Sequence, residues 1–476
     1  MLHTVTFQPS GIRFPVPDGI PVLQAMIEAG LYPDAPCGGK GTCGKCRVTI
    51  EGKIVLACQT PIHRDMVVYT QESEKARILT TGIQVCAQPD GNDHYALAFD
   101  IGTTTVVGYL LDGHTGGLLA QASCINPQSQ FGADVISRIQ HTLKEGSEPL
   151  SSCIRGALEN LTQELCRQVG IHPEDIGTSA IVGNTAMHHL LLGIDPKPLV
   201  TPPYMPNISH AIERNNARIL PNIAGFVGGD TVGCMVSTRF DQQEDWTLLI
   251  DIGTNGEMVL GNRQRRIACS TAAGPAFEGA KISCGMRGVQ GAVDHVTLKN
   301  GELAYHVIGD AAPKGLCGSG LLDLVAGLLD MQVIDESGYM EEKQFTLCEN
   351  VTLTQKDVRE VQLAKAAIRA GIELLAEALG IPADHIQKVY LAGAFGNYMD
   401  PRAACRIGMI PPVLLDRIQP IGNAAGEGAK LCALSREEFR YSQQLADSTE
   451  FLELASLPQF QDRYVDALEF SEEEDL

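Results

Sequence analysis

The chain of 476 residues carries 36 Lys and Arg against 57 Asp and Glu, a formal net charge of −21. This acidic balance excludes binding to nucleic acid or to an anionic membrane surface through basic residues, because no positive stripe is available to replace counterions. Hydrophobic residues make up 44% of the chain, and no apolar run reaches the roughly 18 residues of a membrane span. The composition therefore predicts folded domains without a membrane partner.

Residues 1–85 predict a compact unit that is rich in strands. Alternating apolar residues predict two short strands before residue 17, one helix near residues 22–31 and a further strand pair around residue 52. The first ten residues show neither a basic region with an apolar stretch nor an Arg-rich amphipathic start. Their absence predicts a cytoplasmic location.

Four of the 15 cysteines cluster in this unit with the spacing C-x5-C-x2-C-x11-C: Cys37, Cys43, Cys46 and Cys58. The spacing resembles the plant-type ferredoxin pattern, and four thiolates can hold the two irons of a 2Fe-2S cluster. The glycines between the cysteines let the loop wrap closely around such a cluster. The pattern predicts a β-grasp ferredoxin-like domain. A structural zinc site is the alternative, although zinc ribbons usually carry two C-x2-C pairs.

A polar linker over residues 86–94 leads into a larger region, residues 95–440, in which strands, glycine-rich turns and helices alternate. Such alternation is typical of an α/β fold. An apolar strand that ends in Asp-Ile-Gly-Thr occurs at residues 98–105 and again at residues 249–256. This echo predicts a duplication into two lobes that face a cleft. Residues 441–476 form a C-terminal segment with an acidic tail.

The two echoing segments are candidate phosphate loops. Each combines a glycine that lets the backbone approach phosphate, hydroxyl or amide groups that can bond phosphate oxygens, and an Asp that can hold hydrated Mg²⁺. The first set is Asp100, Gly102, Thr103, Thr104 and Thr105, and the second is Asp251, Gly253, Thr254 and Asn255. Neither a G-x-x-x-x-G-K-[ST] loop nor a strand-linked G-x-G-x-x-G occurs, so ATP is expected between the lobes.

This arrangement resembles the superfamily of acetate and sugar kinases, heat-shock chaperone ATPase domains and actin. The resemblance implies a two-lobed ATPase with duplicated mixed sheets. It implies that residues 180–185 form a first connecting segment and residues 422–429 a second connecting helix. Gly393 and Gly396, in a strand-turn that echoes residues 179–185, would border the adenosine.

Asp230 ends a Gly-Asp turn just before the second phosphate loop. The turn looks like the one whose carboxylate is the general base in sugar kinases of this superfamily, so Asp230 could activate water. The alternative is a carboxylate that caps a helix beginning at Thr231.

Two further glycine-rich turns, residues 273–280 and 315–320, each predict a following helix and are candidates to line the cleft. Gly274 is a candidate ATP-binding residue. Glu278 is either a first-turn carboxylate favoured by the helix dipole or a catalytic group. The histidines at residues 188–189 are expected to pack in the core and not to act as ligands.

The chain as a whole is similar to the reductive activators of corrinoid-dependent enzymes. Beyond the cysteine loop and the first phosphate loop, the resemblance depends on residues 126–128, 132–136 and 273–280. Longer members carry a linker and a middle domain between cluster and ATPase, whereas only a short linker separates them here.

This resemblance implies an ATP-hydrolysing enzyme that reduces the inactive Co(II) corrinoid of a methyltransferase system to Co(I), with electrons passing through the 2Fe-2S cluster. It implies a 2Fe-2S cluster, ATP and Mg²⁺ as bound groups. The expected partners are a corrinoid protein, an external low-potential electron donor and, in a homodimer, a second copy of the chain. Two alternatives stay open: an electron-transferring activator of another metalloenzyme such as a radical dehydratase, and a cluster-regulated small-molecule kinase.

Overall fold

A computed structural model describes residues 2–29, 31, 35, 39, 41, 44–70, 82, 88–91 and 94–471. Within these ranges, no helix is both long enough and apolar enough to cross a lipid bilayer.

The N-terminal unit is a five-stranded mixed sheet covered by one helix. Its elements are β1 Leu2–Gln8, β2 Ile12–Pro17, α1 Val22–Glu28, β3 Arg47–Ile50, β4 Lys53–Leu56 and β5 Met66–Thr70. The strand order is β2-β1-β5-β3-β4, with β1 and β5 parallel and the other neighbours antiparallel. Alternate residues of β1, Val5 and Phe7, point into a core shared with Val22 and Met26 of α1. The predicted β-grasp ferredoxin-like fold is confirmed.

The next part of the chain forms a first lobe around a six-stranded sheet. Its elements are β6 Tyr95–Ile101, β7 Thr105–Asp112, β8 Leu118–Ile125, α2 Val135–Glu145, α3 Glu148–Val169, β9 Ile176–Gly183, α4 Thr185–Leu192, β10 Ile212–Arg214, β11 Ala217–Ile219 and α5 Gly229–Thr238. The strand order is β10-β11-β9-β6-β7-β8.

A second lobe contains another six-stranded sheet and two smaller ones. Its elements are β12 Thr247–Ile252, β13 Gly256–Gly261, β14 Arg266–Thr271, β15 Ala292–Lys299, β16 Glu302–Val307, β17 Gly315–Leu316, α6 Gly318–Asp330, β18 Gln344–Cys348, β19 Val351–Thr354, α7 Gln355–Leu379, β20 Lys388–Ala392, α8 Gly393–Tyr398, α9 Pro401–Arg406, β21 Ile418–Gly422, α10 Ala424–Leu434, α11 Arg436–Asp447, β22 Glu450–Phe451 and α12 Pro458–Asp466. The large sheet has the order β21-β20-β12-β13-β14-β22, and the smaller sheets are β16-β15-β17 and β18-β19.

The two large sheets repeat one topology, which confirms the predicted duplication. In each lobe an antiparallel three-strand meander is followed by a parallel strand on the far side of its first strand: β6-β7-β8 with β9, and β12-β13-β14 with β20. Another parallel strand then follows, β11 beside β9 and β21 beside β20. A helix comes after that strand in both lobes, α5 in the first and α10 in the second. The fold is therefore α/β with duplicated mixed sheets.

Local sequence signals fix the long helix α7 of the second lobe. Thr354 and Asp357 form a capping box at its start, which satisfies free backbone N–H groups of the first turn. The helix ends at Gly380, which adopts the left-handed conformation that favours glycine.

The helices α5 and α10 cross between the lobes and share one hydrophobic core with both large sheets. This core contains, for example, Ala98, Leu249 and Met235. The crossing is close because Gly428 of α10 lies directly against the Gly233 carbonyl of α5, where a Cβ on Gly428 would collide with the oxygen. The prediction of residues 180–185 as the first connecting segment is wrong: they lie in β9 and the start of α4, and α5 is the helix that meets α10.

The segment between the N-terminal unit and the first lobe is attached to the far end of the chain. Gly82 N–H donates to the Glu427 carboxylate of α10 at 3.0 Å. Asp90 accepts from the backbone N–H of Arg436 at 2.9 Å and lies 3.5 Å from the guanidinium of Arg218. These contacts fix Gly82 and Asp90 to the first turns of α10 and α11.

Candidate functional site

The two predicted phosphate loops are hairpin turns that begin at the ends of the corresponding central strands of the two lobes. The loop of residues 102–104 joins β6 to β7, and its Gly102 N–H donates to the Thr105 carbonyl at 2.9 Å. The loop of residues 253–255 joins β12 to β13, and its Gly253 N–H donates to the Asn255 carbonyl at 2.9 Å. The two loops therefore follow corresponding strands of the two lobes, and the first hairpin is one residue longer than the second.

The three predicted aspartates come together and repel one another's charges. Burial raises the pKa of Asp100 to about 6, partly offset by the hydrogen bond that Asn423 donates. Burial and then the Asp100 charge raise the pKa of Asp251 to about 6. Burial and then the Asp251 charge raise the pKa of Asp230 to about 7. A divalent cation would relieve this repulsion, so the donor set fits hydrated Mg²⁺.

Neighbouring groups fix the two strand aspartates in orientation. Asn423 Nδ2 donates to Asp100 Oδ2 at 2.8 Å, and its Oδ1 accepts from the Gly426 N–H in the first turn of α10. Gly393 begins α8 with a φ of +79°, and a Cβ there would lie 2.5 Å from Asp251 Oδ1. Glycine is required at position 393 for both reasons, conformation and space.

Asp230 lies in the first turn of α5, one residue after the first residue of the helix. The N-cap residue is Gly228, so the reading of Asp230 as the cap of a helix that begins at Thr231 is wrong. Its Oδ1 does accept a 2.8 Å hydrogen bond from the Thr231 N–H. This bond aims the carboxylate from the helix start toward Asp251 and Asp100.

Glu257 is a fourth acidic residue at this site and was not among the residues predicted from the sequence. It lies in β13 directly opposite Asp251 of β12. Burial and then the charges of Asp230 and Asp251 hold the pKa of Glu257 well above its ordinary value. The available signal was a single carboxylate in a strand that is otherwise Gly, Met, Val and Leu.

A buried guanidinium supports the first phosphate loop from beneath. Arg138 of α2 is fully buried and donates to the Thr103 carbonyl at 2.6 Å and to the Gly132 carbonyl at 3.0 Å. Asn126 Nδ2 donates to the Gly102 carbonyl at 2.8 Å, and Asn184 Nδ2 to Thr103 Oγ1 at 3.0 Å. The segments at residues 126–128 and 132–136, noted as points of family resemblance, thus hold the loop in place.

Glu278 bridges the two phosphate loops. Thr254 Oγ1 donates to Glu278 Oε1 at 2.7 Å, and Thr104 Oγ1 donates to Glu278 Oε2 at 3.3 Å. The prediction of a helix after residues 273–280 is wrong, because residues 275–284 form successive turns and bends. The helix predicted after residues 315–320 is present as α6.

The turn at the start of α8, predicted to border adenosine, lies beside the second phosphate loop. Gly393 and Gly396 are both in α8, which follows β20. Phe395 of this turn stacks on Phe277, with ring centroids 4.7 Å apart and planes at 17°. Gly274 also adjoins the second loop, since its N–H donates to the Thr254 carbonyl at 3.0 Å.

The two neighbouring histidines of α4 have structural partners. His188 Nδ1 accepts from Asn222 Nδ2 at 2.7 Å. His189 contacts the Thr185 carbonyl at 2.7 Å and accepts from the Asn207 N–H at 3.1 Å. Their predicted packing role is confirmed.

The described part of the cysteine loop fits a cluster of thiolates, with Cys46 buried and Cys58 half-buried. The Cys46 carbonyl accepts from the Ala57 N–H at 2.7 Å, which places Cys46 beside the short helical turn that carries Cys58. Gly39 has a φ of +81°, and a Cβ there would lie 3.9 Å from the Cys58 Cβ. The loop therefore folds back over Cys58, and thiolates are the ligands that iron clusters take. Cys37 and Cys43 lie outside the described residues.

The fold and the site define a class: a ferredoxin-like unit joined to a two-lobed ATPase of the actin and sugar-kinase type. Comparison with known families agrees with this division. The 2Fe-2S iron-sulfur cluster binding domain matches residues 5–66, the RACo middle region matches residues 95–243, and the C-terminal domain of RACo, described as the ASKHA domain, matches residues 245–476.

Individual relatives extend the match over most of the chain. The corrinoid activation enzyme RamQ of Eubacterium limosum is 36% identical over 450 residues, 85% of this chain and 75% of the relative. The [Co(II) methylated amine-specific corrinoid protein] reductase of Methanosarcina barkeri is 30% identical over 252 residues, which cover 48% of this chain and 45% of the relative. A solved structure titled reductive activator for corrinoid,iron-sulfur protein superposes with a TM-score of 0.72 at 28% identity, covering 98% of both chains.

The chain belongs to the RACo family, in which a 2Fe-2S domain precedes a middle region and an ASKHA domain. The expectation that the family's middle domain is missing is wrong, because the middle region matches residues 95–243, which form the first lobe.

Proposed function

We propose that this chain is an ATP-dependent reductive activator that reduces the Co(II) corrinoid of a methyltransferase-system protein to Co(I). The observation that carries the proposal is the presence, in one chain, of a ferredoxin-type cysteine loop and two facing phosphate loops with clustered carboxylates. The named relatives act on corrinoid proteins, which supports a corrinoid protein as the electron acceptor. Each turnover adds one electron to cobalt, and ATP with water gives ADP and phosphate.

The ATP site is assembled from matching groups of both lobes. Thr103, Thr104, Thr254 and Asn255 bind the phosphates, and Gly102 and Gly253 let the backbone of the two loops approach them. Gly274, Gly393 and Gly396 border the nucleoside. This assignment is supported by the corresponding places of the two loops at the ends of β6 and β12 and by the adenosine turn beside the second loop.

The aspartates divide into two roles. Asp100 and Asp251 end matching strands and hold hydrated Mg²⁺ between the loops. Asp230 is the general base that accepts a proton from the attacking water, since burial and the Asp251 charge raise its pKa to about 7. A carboxylate with a pKa near neutrality is suited to accept that proton and to release it after hydrolysis.

Cys37, Cys43, Cys46 and Cys58 hold the 2Fe-2S cluster. When bound, the cluster supplies electrons one at a time, which matches the one-electron change at cobalt. An external low-potential donor is the source of these electrons. The chain's part is to bury and orient the ligands, as the packing of Gly39 over Cys58 supports.

ATP is needed because the reduction of Co(II) is unfavourable without it. A nucleotide that binds the closed lobes better than the open ones changes the affinity for the corrinoid protein, and by linkage the corrinoid protein changes the affinity for nucleotide. The crossing of α5 and α10 is where such closure would pivot. Moving an equilibrium from 1:99 to 99:1 takes about 5.5 kcal/mol of differential binding, a reasonable demand on one ATP cycle.

Two variants test this division of labour. Cys58→Ala is expected to abolish Co(II) reduction and to keep nucleotide binding, whereas Asp251→Ala is expected to abolish ATP hydrolysis and to keep the visible spectrum of the cluster. Cys124→Ala, which alters a cysteine in β8 outside the loop, is the control and should reduce Co(II) normally. If either test variant loses both functions while it remains folded, the division is wrong.

The domain limits at residues 1–85, 86–94, 95–440 and 441–476 stay predictions, and α11 runs through residue 440. Homodimer formation and a cytoplasmic location also stay predictions.

A further inference from the structure

Three consecutive residues contact three different parts of the proposed machinery. Phe277 stacks on Phe395 of the adenosine turn. Glu278 accepts hydrogen bonds from Thr104 and Thr254, one in each phosphate loop. The carbonyl of the next residue, Gly279, accepts a 3.3 Å hydrogen bond from Nζ of Lys45 in the cysteine loop. We name the segment Pro275–Gly279 the coupling turn.

The coupling turn is internally bonded, so its residues move together. The Glu278 N–H donates to the Pro275 carbonyl at 3.1 Å, and the Gly279 N–H donates to the Ala276 carbonyl at 3.0 Å. Two successive backbone bonds of this kind restrict the segment to a compact turn. A displacement of the Glu278 side chain therefore reaches the Gly279 carbonyl one residue away.

Glu278 occupies the hydroxyls that the phosphates of ATP require. Its carboxylate accepts from Thr104 and Thr254, whose hydroxyls are proposed phosphate ligands. A carboxylate and a phosphate oxygen are both anionic acceptors, so they compete for the same donors and repel each other. Binding of the nucleotide must displace Glu278 from at least one loop.

Lys45 is placed to pass this displacement to the cysteine loop. It directly precedes Cys46, and its contact crosses from the N-terminal unit to the second lobe, 234 residues away in sequence. A shift of the Gly279 carbonyl breaks or re-aims this bond, which changes how the cationic Lys45 is held next to the cluster ligands.

We propose that Glu278 senses the nucleotide phosphates and that the Gly279–Lys45 contact transmits their presence to the cysteine loop. The inference rests on the proposed function, because it takes ATP at the phosphate loops and a cluster at the cysteine loop. Glu278 is thus a positioning residue that couples the two halves of the chain.

A second contact offers an alternative route by which nucleotide binding could affect the N-terminal unit. Gly82 N–H, in the segment that follows the N-terminal unit, donates to the Glu427 carboxylate of α10 at 3.0 Å. Glu427 is also paired with Lys430. If this route carried the nucleotide signal, Glu427→Gln would abolish the coupling and Lys45→Met would not.

The test measures the affinity for a non-hydrolysable ATP analogue in oxidised and in dithionite-reduced protein, together with the EPR spectrum of the reduced cluster. No corrinoid protein is present, so failure of Co(II) reduction and failure of this coupling are separate results. For the wild type we expect the two affinities to differ by about fivefold or more, with a nucleotide-dependent EPR change. Equal affinities and an unchanged spectrum would overturn the proposal.

In Lys45→Met the two affinities should agree within about twofold, with no EPR response, because the coupling free energy is lost. Lys53→Met, which changes an exposed lysine of β4, is the control and should keep the wild-type ratio. Persistence of the response in Lys45→Met, or its loss in Lys53→Met, contradicts the assignment.

Glu278→Gln keeps the shape of the side chain and removes its charge. If Lys45→Met loses its cluster, this second variant tests the proposal instead. It should bind the analogue about tenfold more tightly, which corresponds to 1.4 kcal/mol of relieved repulsion, and should show no redox dependence of affinity. Weaker binding by Glu278→Gln would show that the carboxylate assists the nucleotide and would overturn the competition between them.

Discussion

The like-charge cluster at the proposed ATP site makes a definite prediction for Asp230→Asn. In the protein without nucleotide, burial and the Asp251 charge raise the pKa of Asp230 from 3.8 to about 7. A carboxyl group whose pKa is raised by folding contributes its full stability below about pH 4, and that contribution is lost as the pH rises through about 7. Asn cannot ionise, so the variant escapes this loss. Its Oδ1 can still accept from the Thr231 N–H.

The size of the effect follows from the pKa. The step from 3.8 to about 7, at 1.36 kcal/mol per pH unit, gives a gain of about 4 kcal/mol in the free energy of unfolding at pH 8. At pH 5 the folded-state carboxyl is still protonated, so the gain falls to about 2 kcal/mol. Mg²⁺ should stabilise the wild type more than the variant, because the cation neutralises the repulsion that Asn has already removed.

The assay is urea unfolding at pH 5 and pH 8 without Mg²⁺ or nucleotide, followed by the fluorescence of Trp246. This residue is the one tryptophan of the chain and directly precedes β12, the strand that carries Asp251. Asp245→Asn, an exposed carboxylate just before the same strand, is the control and should change little. Lower stability of Asp230→Asn at pH 8, or an equal gain at both pH values, would refute the reasoning.

Three further predictions concern the supports of the site. Arg138→Met leaves the Thr103 and Gly132 carbonyls without their donor, so the free energy of unfolding should fall by about 1–3 kcal/mol. The KM for ATP should also rise, because the first phosphate loop loses its support. An unchanged KM in steady-state ATPase assays would contradict this role of Arg138. Gly428→Ala places a methyl group against the α5 backbone, so urea unfolding should show a loss of about 1–3 kcal/mol, and a neutral result would contradict the close crossing of α5 and α10. Asn423→Ala removes the hydrogen-bond donor that lowers the Asp100 pKa. The acidic limb of the pH profile of ATP hydrolysis should therefore move to higher pH. A shift to lower pH would contradict the role of Asn423 in lowering that pKa.

The sequence was sufficient for features that depend on local or repeated patterns. The cysteine spacing predicts the ferredoxin-like unit, and the recurrence of Asp-Ile-Gly-Thr predicts two loops in corresponding places at the ends of β6 and β12. That these loops bind phosphate stays a prediction. The fold of the ferredoxin-like unit and the places of the two loops could be predicted because each depends on particular residue types within one short loop.

The misses depend on contacts between distant parts of the chain. The first connecting role was assigned to residues 180–185 and not to α5, because the strand before α5, β11, has three residues and gives almost no periodic signal. Glu257 was missed because one carboxylate in a strand gives no sign that its partner across the sheet is Asp251. Glu278 meets Thr104 across 174 residues, a contact that only the packing of the two lobes creates.

The most direct test of the central claim is an anaerobic absorbance measurement. The purified protein is mixed with a low-potential reductant and a Co(II) corrinoid protein, with and without Mg-ATP, and the spectrum is followed for Co(I). The account predicts that Co(I) forms only when ATP is present. If cobalt remains Co(II) with several corrinoid proteins while the cluster is reduced and ATP is hydrolysed, the claim that this chain activates corrinoid proteins is contradicted.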